Sequence, residues 1–90
     1  MNRDQFEIAV IDVFGEKDTS NYRVSQRSAT PCFLAYVIID GARYSIKLAK
    51  TDDRWVAFLV DHPRSNETRT GYCNTAEIAL KVLLSKIRSL

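Results

Sequence analysis

Residues that carry chemistry are scarce in this chain, which has one histidine, two cysteines and three glycines in 90 positions. The single histidine, His62, sits between Asp61 and Pro63. Consecutive extended residues point to opposite sides, so Asp61 is poorly placed to orient its neighbour's ring. His62 therefore reads as a solvated loop residue. Cys32 and Cys73 are far apart in sequence and lack metal-ligand or redox spacing, so no metal site is expected. The glycines (Gly15, Gly41, Gly71) are scattered and build no phosphate-cradling loop. These shortages predict a non-enzyme with no cofactor, no metal and no small-molecule substrate.

Long apolar runs are missing too. Nothing approaches the roughly 18 residues of a membrane helix. The stretch from Phe6 to Phe14 is short, contains Glu7 and Asp12, and follows an acidic rather than a basic residue, unlike a signal peptide. The expectation is a cytoplasmic chain without a leader, its two thiols reduced. Both cysteines precede predicted regular elements, which leaves open that they are neighbours in space.

A large charge of one sign is also lacking, since the net charge is +2. Its distribution is uneven. Residues 1–20 hold two cations against five carboxylates, and the remainder holds eleven against six. With 46% hydrophobic and 27% charged residues, the composition is that of a globular protein, not a disordered one. The length suits a single domain over residues 1–90.

The clearest positive signal lies in the middle of the chain. Phe33–Ile39 and Ala42–Leu48 flank Asp40-Gly41, a strong hairpin signal, because glycine supplies the positive φ of a type I′ turn and aspartate tolerates it. A two-residue loop sets the register: Ile39 opposes Ala42, Val37 Tyr44, Ala35 Ile46, and Phe33 Leu48. That face is apolar and predicts core. The opposite face pairs Ile38 with Arg43, Tyr36 with Ser45, and Leu34 with Lys47.

Thr51-Asp52-Asp53 turns the chain into Trp55–Val60, apolar on both sides, as in a strand covered on both faces. Its register stays open, because two- and three-residue loops put opposite faces inward. Tyr22–Gln26 alternates and predicts a short edge strand within an otherwise loop-like stretch from 16 to 31, and residues 61–73 read as a patternless loop.

Two helices complete the chain. Phe6, Ala9, Val10, Val13 and Phe14 share a helical face, with Asp4 as cap, Glu7 three residues on and Gly15 at the end. This predicts a helix over 3–14, although four β-branched residues there would also fit a strand. From Asn74 as cap, with Glu77 completing the pair, Ala76, Ala79, Leu80, Leu83, Leu84, Ile87 and Leu90 form one stripe. The fold class expected is α+β: an N-terminal helix, an antiparallel β-meander of three to four strands, and a C-terminal helix packed on one sheet face.

Pro31-Cys32-Phe33 through Val37, Ile39 and Gly41 resembles the second strand of double-stranded-RNA-binding domains. The resemblance implies helix, antiparallel strands, helix, and a surface that grips RNA phosphates. It covers about a dozen residues. That family opens its last helix with a lysine cluster, whereas this chain has Asn74-Thr75-Ala76-Glu77, and here a long loop follows the third strand. In size the chain is similar to phage-encoded inhibitors, including anti-CRISPR proteins, and to small immunity or adaptor proteins.

The surplus of apolar strand positions over one helix-covered face predicts binding rather than catalysis. The expected partner-binding residues are Leu34, Tyr36, Ile38, Arg43 and Lys47, with Arg64 and Arg69 from the loop. Arg23, Arg27 and Lys50 are further candidates for an anion-binding rim. A protein partner, or a second copy in a homodimer, is expected first; nucleic acid held by Arg43, Lys47 and neighbouring cations is the alternative. The deciding question is whether the first helix covers the outer face and turns it into a second core.

Overall fold

The computed structural model describes residues 1–26 and 30–90; Arg27 lies outside the described residues. Asp40 and Gly41 adopt φ of 51° and 83°, the two positive values a type I′ turn needs. They join β2 (Cys32–Ile39) to β3 (Ala42–Thr51) in the expected register, from Ile39 opposite Ala42 to Phe33 opposite Leu48. The next turn repeats the device without glycine. Asp52 and Asp53 hold φ of 49° and 63°, and Thr51 faces Arg54 at the start of β4 (Arg54–Val60). This two-residue turn puts Trp55, Ala57 and Leu59 on the side of Ile46 and Leu48, and Val56, Phe58 and Val60 on the opposite face, where Val56 is nonetheless buried.

The edge strand starts earlier than its alternation suggested. A 3₁₀ turn at Glu16–Asp18 leads into β1 (Thr19–Ser25), which pairs antiparallel with β2. The register shifts between Ser20 and Arg23, where Asn21 has φ 56°. That bulge hid the strand from a strict period of two. The four strands form one sheet in the order β1-β2-β3-β4.

Residues 3–14 are helical: α1 (Arg3–Phe14) carries its capping box two residues earlier than expected, between Asn2 and Gln5, not Asp4 and Glu7. Each backbone N–H is bonded by the other residue's side-chain oxygen at 2.9 Å. The second helix, α2 (Ala76–Arg88), is capped by Thr75, whose hydroxyl accepts the Ile78 N–H, and not by Asn74. Helix-forming tertiary contacts outweigh the β-branched residues of α1. Its buried stripe is narrow (Phe6 and Val10), while Ile8 stays exposed. The α2 stripe buries Ala76, Ala79, Leu80, Leu83 and Ile87, and Leu90 falls beyond the helix end, exposed.

Both helices pack on the same side of the sheet. Phe6 meets Phe33 at 5.3 Å between ring centroids and Tyr22 edge-on at 6.3 Å. α1 lies on β1 and β2, α2 on β3 and β4, and the helices touch each other. One core results, from Phe6, Val10, Phe33, Ala35, Val37, Ile46, Leu48, Ala57, Leu59, Leu80 and Leu83 among others.

The stretch after β4 is not patternless. A 3₁₀ turn at Ser65–Glu67 is followed by a strap along the free edge of β4, with bridges Phe58–Arg69 and Trp55–Cys73. Thr70 anchors it: its hydroxyl accepts the Ala57 N–H and donates to the Gly71 carbonyl, both at 2.9 Å, and its N–H bonds the Ala57 carbonyl. The signal was polar and so had no apolar periodicity, yet Thr68 and Thr70 are buried. The strap also separates the thiols. Cys32 on β2 and Cys73 on the strap are both free. They lie three strand spacings apart, about 14 Å, beyond the roughly 7 Å limit between Cα atoms for a disulfide.

Candidate functional site

With both helices behind the sheet, its other face is open. The first helix does not cover Leu34, Tyr36 and Ile38; Ile38 is exposed and the other two are half-buried. The strand parities place on this face Arg23 from β1, Leu34, Tyr36 and Ile38 from β2, Arg43, Ser45 and Lys47 from β3, and Arg54, Phe58 and Val60 from β4. Arg69 of the strap joins them opposite Phe58.

Cations and rings alternate across the sheet. The Arg23 guanidinium lies 5.1 Å from the Tyr36 ring centroid and that of Arg43 lies 4.8 Å from it. The Lys47 ammonium is 5.5 Å from the Phe58 ring and the Arg69 guanidinium 5.8 Å. Reading from β1 to the strap, the order is cation, aromatic, cation, aromatic, cation. The pattern spans five neighbouring chain segments, about 19 Å. Each ring attracts its cations through its quadrupole, by about 0.5–1 kcal/mol at exposed positions. That attraction holds like charges on both sides of one ring.

No residue of the four strands is an aspartate or glutamate. All eleven carboxylates sit on helices, turns and loops. Among the described residues, Arg23, Arg43, Lys47, Arg54 and Arg69 make no ion pair. The ion pairs found involve Arg3, Lys50, Arg64 and Lys81 instead. The open face is therefore basic and uncompensated. Asp4, Glu7 and Asp12 of the acidic N-terminal segment lie on α1, behind the sheet.

Of the residues expected from sequence, Leu34, Tyr36, Ile38, Arg43, Lys47 and Arg69 come together on this face. Arg64 stands apart in the loop, bonded to the Glu67 carboxylate. Lys50 lies over Trp55 on the other parity and pairs with Asp53 at 3.7 Å. Two cations were missed as face residues. Arg23 faces Leu34 and Arg54 faces Thr51, and each follows only from a strand register that the sequence left open.

His62 is half-buried rather than solvated. Its ring stacks obliquely on Tyr44 at 5.7 Å, and its Nδ1 accepts the Arg64 N–H at 3.1 Å. Ser45 and His62 line one recess, but no hydrogen bond joins them among the described residues. No group of three or more potential metal ligands occurs among the described residues. Among the described residues, no helix is long and apolar enough to cross a membrane. No protein-family model, curated protein or solved structure matches the chain.

Proposed function

We propose that the protein is a non-enzymatic binding protein that holds single-stranded nucleic acid across the open face of its sheet. The observation that carries this reading is the alternation of Arg23, Tyr36, Arg43 or Lys47, Phe58 and Arg69 on strands without a carboxylate. A polyanion releases the repulsion between unpaired cations held around shared rings. Guanidinium planes and aromatic rings both offer stacking partners to unpaired bases. A face about 19 Å across suits a flexible single strand, whose bases splay outward, better than a rigid duplex.

The test is fluorescence anisotropy of labelled 15-mer single strands, DNA and RNA, with a duplex of the same length beside them. Binding in the non-specific range of about 1–100 µM is expected for the single strands, with the duplex weaker. No salt-sensitive binding of any oligonucleotide would overturn the reading. The apolar residues Leu34, Ile38 and Val60 beside the arginines then favour a second one, an acidic protein partner or a second copy of the chain docked on the same face. Solution mass and co-purification from the native host separate those two. An inhibitor or adaptor role in the cytoplasm belongs with that second reading.

A further inference from the structure

At one end of the open face the sheet has a notch. β4 ends at Val60 opposite Ser45, while β3 continues through Tyr44 and Arg43 to the hairpin. Counting by twos from the turn pair Thr51–Arg54, Ser45 directs its backbone groups at β4. Arg43, two residues earlier, directs its N–H and C=O past the end of that strand. The chain leaves β4 through Asp61, at φ 55°, and returns His62 against Tyr44. The result is a recess of about 230 Å³ lined by Tyr36, Arg43, Tyr44, Ser45, Val60, Asp61 and His62.

Its chemistry differs from that of the face it adjoins. The face has no carboxylate, and the recess has one. Asp61 opposes a phosphate, and Arg43 opposes a cationic ligand. A neutral planar group with donors on one side and acceptors on the other satisfies both. The volume falls below the 300–1,000 Å³ of drug-sized pockets, and three of the seven lining residues are aromatic. We infer that the recess takes one base of the strand lying on the face, and that this base is guanine. Guanine alone among the standard bases presents two adjacent N–H donors, which a carboxylate accepts together. Its O6 and N7 are acceptors that arginine reads in bidentate fashion. Asp61 holds the donor edge and Arg43 the acceptor edge, with the Tyr44–His62 pair and Tyr36 as walls. This inference rests on the nucleic-acid reading above.

The experiment titrates four labelled oligonucleotides, all-thymidine and thymidine with one central guanosine, adenosine or cytidine, in DNA and with uridine as background in RNA. The guanosine oligonucleotide is expected to bind roughly ten-fold more tightly than the others, in the range of one bidentate base contact. Inosine, which lacks the exocyclic amine, is expected to lose most of that gain. Asp61→Asn is expected to abolish the guanosine preference while leaving all-thymidine binding equal or tighter, since a negative charge is removed. Asparagine also adopts positive φ readily, and an unchanged melting temperature verifies the fold. Equal binding of all four oligonucleotides, or a guanosine preference that survives Asp61→Asn, overturns the pocket and leaves the face standing. No binding by any of them removes the face, and the pocket with it.

Discussion

Replacing Arg23 and Arg69 together by alanine removes the two outermost cations of the face, one from β1 and one from the strap. If each of the five basic residues on the face neutralises one phosphate, the affinity for a single strand falls with salt at a log–log slope of about −3.5, roughly 100-fold between 50 and 200 mM. With three cations left the slope becomes about −2.1, and the same interval costs only roughly 20-fold. Both side chains are exposed and each touches one ring. Their removal costs the fold about 1–2 kcal/mol in all, against a total of roughly 5–13 kcal/mol for a chain of this length. The variant therefore stays folded, and a thermal melt verifies it. The assay is anisotropy of labelled fifteen-residue oligothymidylate at five sodium chloride concentrations. Lys86→Ala with Arg88→Ala, on α2 behind the sheet, is the control and should keep the full slope. A parent slope near zero, or a slope unmoved by the face variant but reduced by the α2 one, would refute the reasoning.

Other expectations concern the fold that presents this face. Asp53→Gly relieves a positive φ of 63° in the β3–β4 turn; it should stabilise by about 0.5–1 kcal/mol and raise the melting temperature by several degrees. Thr70→Val leaves the buried Ala57 N–H without its hydroxyl acceptor and should cost about 1–3 kcal/mol in a denaturant titration. Val37→Ser, at a fully buried position, should cost about 2–4 kcal/mol, while its neighbour Ile38→Ser, 42% exposed, should stay within about 0.5 kcal/mol. Equal costs for that pair would contradict the assignment of the two sheet faces.

The hairpin register was legible in the sequence because a two-residue Asp-Gly turn leaves no freedom in pairing, and parity then sorts every residue of β2 and β3. α2 was legible from its continuous stripe. The register of β4 was not, because its turn uses two aspartates at positive φ where glycine would have announced the geometry. β1 was only partly visible, since a polar edge strand with a bulge at Asn21 keeps no period. The strap was invisible for another reason: it is held by backbone bonds and by Thr70, so its burial leaves no apolar signature. The candidate face inherited these limits. Its centre, from Leu34 to Lys47, could be read from the hairpin, whereas Arg23 and Arg54 depended on the two unresolved registers. The freedom of the strands from carboxylates was present in the sequence throughout, but it acquired meaning only once the open side of the sheet was known.

The strap along β4 and the bulge in β1 have a joint consequence for how closely copies of the chain can crowd. At high local concentration a flat, unguarded strand would recruit the next copy by continuing the ladder. Here one border of the sheet is occupied by residues 69–73, and the other is bent at Asn21. Copies brought close together can therefore crowd without zipping into a continuous fibre through strand pairing.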